Sequence, residues 1–409
     1  MKLRYSDIRK HLRVNRLNGS ADNVATLTHY LQNQDLESSA TYEQYAHSFY
    51  EELQRNVPEF GDISMQHLKS IKWDIPFPSP DRPKFTFIDL FAGIGGFRLA
   101  CQNLGGKCVF TSEWNESAKS TYEANFAEVP FGDITKESTK AFIPKQFDVL
   151  CAGFPCQAFS IAGKRGGFED TRGTLFFDVA EIIKRHQPKA FFLENVKGLR
   201  NHDKGRTLTT ILNVLRNDLN YFVPDPEIVN AKNFGVPQNR ERIFIVGYRK
   251  DLGIDRFEYP EPLDEPVAIE DIFEEEEVSV KYYLSTQYLK TLKEHKARHE
   301  SKGNGFGFEI IPNDGIANAV VCGGMGRERN LIIDNRLTNF TPVTKIKGEV
   351  NREGIRKMTP REWARLQGFP DTYRICVSDV QAYRQFGNSV AVPAIQATAE
   401  KLLEQLNLQ

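Results

Sequence analysis

Phe85-Thr86-Phe87-Ile88-Asp89-Leu90-Phe91-Ala92-Gly93-Ile94-Gly95-Gly96-Phe97-Arg98-Leu99-Ala100 is an apolar run that breaks into a glycine-rich turn and resumes with helical spacing. Glycine in such a turn permits positive φ and a close approach of backbone to a ligand. The spacing is not G-x-G-x-x-G and no P-loop lysine follows, so the common phosphate-binding turns are excluded. Outward from this stretch the alternation continues. Strands are predicted at 85–91, 108–113, 147–154, 190–196 and 242–248, and helices at 96–103, 115–126, 173–185 and 207–219. Continuous apolar strands between amphipathic helices predict an α/β fold, a doubly wound and mostly parallel sheet covered on both faces. In such sheets ligands bind beyond the carboxyl ends of the strands.

At 409 residues and 40% hydrophobic content the chain has material for more than one domain and a sizeable core. Its mean hydropathy of −0.46 and lack of a long apolar stretch argue against a membrane span. No apolar signal core follows Met1, so a cytoplasmic location is expected. The cysteines are Cys101, Cys108, Cys151, Cys156, Cys322 and Cys376, with no C-x-x-C pair. No metal is therefore expected, and a reducing compartment fits. The formal net charge of −1 gives no overall attraction to nucleic acid, although basic residues can gather on one face.

Four segments are expected. Residues 1–82 read as an N-terminal helical extension with a proline-rich connector at Pro76, Pro78, Pro80 and Pro83. Its helices carry Val24, Leu27 and Leu31, then Tyr42, Tyr45, Phe49 and Leu53. It is read as a packing appendage, or as an accessory DNA-binding unit through Arg9, Lys10, Arg13 and Arg16. Residues 83–250 form the main α/β domain. Residues 251–350 form a smaller loop-rich domain, whose acidic run Glu274-Glu275-Glu276-Glu277 reads as a solvated face. Residues 351–409 return to complete the main domain, with Thr359 as an N-cap before Pro360.

Strand-end residues supply the chemistry. Glu113 can accept hydrogen bonds from both hydroxyls of a ribose. Trp114 can lie against an adenine face, and Asp133-Ile134 can read the amino edge of that base. Each is also an ordinary strand-end residue when taken singly. Downstream, Gly153-Phe154-Pro155-Cys156-Gln157 holds a cysteine at the mouth of a strand.

Together with Glu194-Asn195-Val196, Gln238-Asn239-Arg240-Glu241-Arg242 and Gly387-Asn388-Ser389-Val390, these stretches resemble the ordered motifs of the DNA (cytosine-5)-methyltransferases. The resemblance runs from about residue 85 to the C-terminus. It implies the S-adenosylmethionine-dependent methyltransferase fold, with residues 251–350 as a target-recognition domain. It implies cofactor contacts from Phe91, Gly93, Gly95, Glu113, Trp114, Asp133, Ile134, Pro155, Asn388, Ser389 and Val390. It also implies double-stranded DNA as partner, approached by Gln157, Ser160, Lys164, Arg165 and Gln238. A closer similarity, to the HpaII-type branch that methylates the inner cytosine of CCGG, is carried by residues 301–306, 314–319 and 323–330. That implies a restriction–modification system, with a cognate endonuclease acting on the same site without contact. Monomeric action is the default expectation.

Methylating carbon-5 of cytosine requires a nucleophile to add at carbon-6, and a thiolate suits that step. Cys156 is the expected nucleophile; Cys151, inside the apolar run, reads as structural. Glu194 is expected to stabilise the ring at nitrogen-3, with burial raising its pKa. Arg242 is expected to orient Glu194 and hold the base carbonyl, and Arg240 to meet phosphate; surface pairing with Glu241 is the plainer reading. A stacked cytosine is out of reach and must be flipped. Arg327 and Arg329, on a glycine-rich segment, are the candidate guanine readers. The alternatives are an RNA cytosine-5 methyltransferase, or a DNA-binding autorepressor acting through residues 1–80. The long insert before the last motif favours duplex DNA.

Overall fold

A computed structural model of the chain describes residues 3–12, 21–155, 175–263, 267–303, 307–322, 327–343 and 348–408. It divides into two compact units: 1–229 with 242–260 and 395–409, and 230–241 with 261–394.

The first unit begins with helices α1 (Tyr5–Arg9), α2 (Ala21–Asn33), α3 (Glu43–Asn56) and α4 (Met65–Lys69). The alternating region supplies β1 (Phe85–Leu90), α5 (Gly96–Asn103), β2 (Gly106–Ser112), α6 (Glu116–Phe126), α7 (Glu137–Lys140), β3 (Val149–Gly153), α8 (Leu175–His186), β4 (Ala190–Val196) and α9 (Arg206–Asn213). The strands β5 (Tyr221–Phe222), β6 (Glu227–Asn230) and β8 (Glu241–Arg249) follow, while β7 (Gln238–Asn239), between β6 and β8 in sequence, belongs to the second unit. Among the described residues seven of these strands form one sheet, ordered β2-β1-β3-β4-β8-β5 with β6 beside β8. The first four run parallel. β8 runs antiparallel to β4 and to β5. Every residue of β2 is buried and β1 nearly so. Side chains alternate between the faces of a strand, so burial at every position means both faces are covered. The expected α/β fold is present.

Local differences have local causes. The predicted strand 85–91 stops at Leu90 because Phe91 takes φ 56°. The helix predicted at 207–219 widens into a π-turn over Val214–Asp218. Tyr42 precedes α3 rather than joining it, and Tyr45 faces solvent.

The expected boundaries differ from the observed units. The extension 1–82 does not stand apart: Tyr5, Leu27, Tyr42 and Phe49 share one apolar cluster with Leu90, Val109, Phe131 and Leu150. Arg9, offered as a DNA contact, pairs with the buried Glu123 at 3.1 Å. Arg13 and Arg16 lie outside the described residues.

The second unit contains α10 (Thr286–Glu300), β9 (Ala317–Asn318), β10 (Leu331–Ile333), β11 (Ile355–Lys357), α11 (Pro360–Leu366) and α12 (Asp379–Asn388). The return to the first unit comes only at residue 395, within α13 (Val392–Gln405). At the start of α11, Thr359 accepts from the Glu362 N–H while Glu362 accepts from the Thr359 N–H. Glu362 also takes two bonds of 2.7 Å from the buried Arg356, which reaches Asp334 at 2.9 Å. The acidic run is not wholly solvated: Glu277 accepts from the Thr338 N–H and hydroxyl at 3.0 and 2.8 Å.

A sharp packing constraint sits in β8. A Cβ on Gly247 would come within 2.2 Å of the Phe191 ring. Gly247→Ala is therefore expected to destabilise the protein by ~1–3 kcal/mol through overpacking, measured as a lowered urea midpoint.

Candidate active site at the carboxyl edge of the sheet

Three loops leave the sheet side by side. Leu90 pairs with Ser112, and Ser112 bridges to Phe131. The Ala92 N–H donates to the Ser112 carbonyl and the Glu113 N–H to the Phe131 carbonyl, each at 2.9 Å. In the first loop Phe91, Gly93 and Gly95 all have positive φ, at 56°, 55° and 85°. For Phe91 that conformation costs ~1–3 kcal/mol, a strain typical of ligand-binding turns. At Gly95 a Cβ would lie 2.4 Å from the Phe126 ring, so no side chain fits there.

Glu113 ties two loops together. One oxygen accepts from the Gly93 N–H at 2.9 Å and the other from the Asn115 N–H at 2.7 Å. Burial raises its pKa, and the backbone donors from Asn115, Gly93 and Trp114 oppose the rise. A carboxylate has further lone pairs, so these bonds leave it able to accept hydroxyls. The adjacent Trp114 is 79% exposed. A water-facing indole beside a buried carboxylate suits a nucleoside, with the base on the ring and the ribose on the acid. In the third loop Asp133 accepts from the Thr135 N–H and hydroxyl at 3.0 and 2.9 Å, and Ile134 is buried. Phe91, Gly93, Gly95, Glu113, Trp114, Asp133 and Ile134 thus sit on neighbouring loops. Asn388, Ser389 and Val390 belong to the second unit.

Further along the same edge, Leu90 pairs with Ala152, Gly153 with Glu194, and Val196 with Arg242. Because β8 runs antiparallel, its first residues meet the last residues of β4. Arg242 Nε then reaches Glu194 Oε1 at 3.0 Å, with both side chains largely buried. The guanidinium thus lies against the carboxyl. The sequence reading quoted Asn195 within a motif but gave its side chain no role. Its side-chain amide donates to the Phe154 carbonyl at 2.9 Å, and its oxygen accepts from the Val196 N–H at 2.8 Å. That fixes the backbone leading into the exposed Pro155. A polar residue within an otherwise apolar strand end was the available signal. Cys156, Gln157, Ser160, Lys164 and Arg165 lie outside the described residues.

Two expectations are corrected. Arg240 does not face outward toward phosphate or pair on the surface with Glu241. It is 2% exposed, and its guanidinium donates to the carbonyls of Val320, Gly387 and Ser389. Gln238 is fully buried, donates to the Leu366 carbonyl at 2.7 Å and accepts from the Val320 N–H at 2.9 Å. Both side chains satisfy backbone groups that turns have left unpaired. Of the two candidate base readers, Arg327 is half-buried and stacks over Tyr383 at 5.4 Å, whereas Arg329 is exposed.

The family model for C-5 cytosine-specific DNA methylases matches residues 85–404. The chain belongs to this family. As a family member it is a C-5 cytosine DNA methyltransferase, and it is similar to a relative from Haemophilus parainfluenzae, Type II methyltransferase M.HpaII. The two are 79% identical over 80% of this chain and 91% of the relative. Type II methyltransferase M.HhaI of Haemophilus parahaemolyticus is 40% identical over 79% of this chain and 95% of its own length. Among solved structures, S. pombe Dnmt2 methyltransferase superposes with a TM-score of 0.58 over 79% of this chain and 99% of that one, at 20% identity, which supports the fold alone. The family is S-adenosylmethionine-dependent, and the glycine turn, Glu113 and Trp114 have the donor set and exposed ring that such a nucleoside needs. Among the described residues no helix is long and apolar enough to cross a membrane, and no group of three metal-ligating side chains occurs.

In β1 of this methyltransferase, ahead of the glycine turn, lies Asp89, 1% exposed, with neither oxygen hydrogen-bonded to a described residue. Burial pushes its pKa from 3.8 up to about 8, against the pull of Arg98. The folded state therefore holds a proton that the unfolded chain releases, so stability falls as pH rises from about 4 to about 8. Asp89→Asn carries no such proton. Its stability relative to the parent should be greater at pH 8 than at pH 5 by urea denaturation; a difference independent of pH would refute the assignment.

Proposed function

We propose that this methyltransferase modifies the inner cytosine of CCGG in duplex DNA through a covalent cysteine adduct, as the protective half of a restriction–modification system. The observation that carries the mechanism is the buried Arg242–Glu194 pair at 3.0 Å, set in register beside the backbone that Asn195 fixes ahead of Pro155. Cys156 follows that proline directly.

With a cytosine flipped out of the helix, the Cys156 thiolate adds to carbon-6. Glu194 meets the charge that develops at ring nitrogen-3 by donating a proton or hydrogen bond. Arg242 holds the Glu194 carboxyl and is placed to take the base carbonyl. S-adenosylmethionine, when bound, supplies the methyl group to carbon-5. Glu113 would hold its ribose, Trp114 and Ile134 would flank its adenine, and Asp133 would meet the amino edge. A base, with ordered water the candidate, then takes the carbon-5 proton, and the thiolate leaves carbon-6. Asn388, Ser389 and Val390 are proposed to complete the pocket, held from within their own unit by Arg240.

Site selection is assigned to the second unit. Arg329 is the stronger reader because its side chain faces solvent, while Arg327 is engaged with Tyr383.

Two measurements test this. Duplex DNA of known sequence incubated with S-adenosylmethionine and the protein should carry 5-methylcytosine at CCGG alone. Cys156→Ser should abolish turnover yet retain cofactor binding. Methylation elsewhere would correct the target, activity on transfer RNA alone would overturn the duplex assignment, and an active serine variant would refute the mechanism. Arg329→Ala should lower discrimination at one guanine position by ~1–3 kcal/mol, read from kcat/KM on single-substitution sites, with a smaller loss for Arg327→Ala. Unchanged selectivity would discard both.

A further inference from the structure

The family match begins at residue 85, so α2 and α3 lie ahead of it. Polar side chains of α2, and Tyr42 just ahead of α3, nonetheless converge on the edge of the sheet at β2 and on the segment 126–132 that runs beside it. A sheet edge and an irregular segment both carry backbone groups without ladder partners. Five side chains of the extension satisfy such groups. The Tyr42 hydroxyl donates to the Val109 carbonyl at 2.5 Å. His29 Nε2 accepts the Thr111 N–H at 3.2 Å. Gln32 donates to the Phe126 carbonyl at 2.7 Å. The Thr28 hydroxyl accepts the Val129 N–H at 3.1 Å. Asp22 accepts the Gly132 N–H at 3.3 Å.

Two of these five stand at the base of the cofactor loops. Thr111 is two residues before Glu113. Gly132 immediately precedes Asp133. His29 is fully buried and its ring lies 4.7 Å from that of Phe131, the residue whose carbonyl receives the Glu113 N–H. Its tautomer is set by its partners. Nδ1 faces the Ala25 carbonyl at 2.8 Å, which can only accept, so Nε2 is left to accept from Thr111. The nearby Glu128, 3.4 Å from Nε2, is engaged by Arg98 at 2.9 Å. Arg98 sits in α5, directly after the glycine turn. The extension therefore reaches two of the three loops from behind: the second through His29 and the third through Asp22.

We propose that Asp22 and His29 are positioning residues for the adenosine end of S-adenosylmethionine, and that residues 21–42 act as a cap setting the Glu113 and Asp133 loops. This rests on the reading of those loops as the cofactor pocket. Neither residue touches the cofactor; each fixes the backbone from which a contacting side chain projects. The role differs from bulk stabilisation because it predicts an effect on cofactor affinity alone.

The test uses the full-length protein and S-adenosylhomocysteine as the probe, titrated by calorimetry, beside steady-state KM values for S-adenosylmethionine and for DNA. Asp22→Ala is the primary variant because its half-buried position leaves the core intact; His29→Leu is the more severe one. Loss of one such hydrogen bond should weaken probe binding about tenfold and raise KM for S-adenosylmethionine in parallel, with KM for DNA unchanged. Asp22→Asn keeps an acceptor oxygen and should restore parental affinity. Parental affinity in a folded Asp22→Ala protein overturns the proposal. So does an equal rise in KM for DNA, which would mark a general structural effect. Absence of probe binding by the unaltered protein would instead sink the pocket reading, and the cap with it.

Discussion

Parallel pairing constrains everything else in the first unit. Strands that run the same way in adjacent register must end at the same edge, so the residues that follow them gather there without a dedicated scaffold. β1 pairs with β2 on one side and β3 on the other, and β3 pairs with β4. Glu113 and Pro155 lie just past β2 and β3, the glycine turn follows β1, and Glu194 stands near the end of β4. β8 breaks the direction, and the break has a use. Running antiparallel, it presents its first residues to the last of β4, which is how Arg242 meets Glu194.

Much of this was legible in the sequence because the signals are local. An apolar strand ending in glycines, a Thr-Pro pair ahead of a helix, and a carboxylate at the polar end of an apolar run each carry meaning within a few residues. Gly93, Gly95, Glu113 and Glu194 lie where the pattern put them. Arg240 and Gln238 were misread because polarity in a sequence does not show which way a side chain points. Their partners, Val320, Leu366, Gly387 and Ser389, are about 80 to 150 residues away along the chain. No local pattern identifies a carbonyl that a distant turn will leave unsatisfied. The extension was legible in the sequence only in part. Its helical spacing was visible, but the strand edge that its polar face would meet was not.

The two arginines of one short motif therefore do different jobs. Arg242 lies in the first unit and pairs with Glu194. Arg240, two residues earlier, lies in the second and is spent on main-chain carbonyls, including those flanking Asn388. Gly387 shows how tight that region is, since a Cβ there would sit 2.8 Å from the Cys322 nitrogen.

The exposure of Trp114 has a practical side. The chain has three tryptophans. Trp363 is 1% exposed, Trp73 is half-buried, and Trp114 is 79% exposed. An indole facing water emits at longer wavelength than one in an apolar core, and dissolved quenchers reach it first. The red edge of the intrinsic emission is thus dominated by one ring beside Glu113, so the protein carries its own spectroscopic window onto that loop, with no dye to attach.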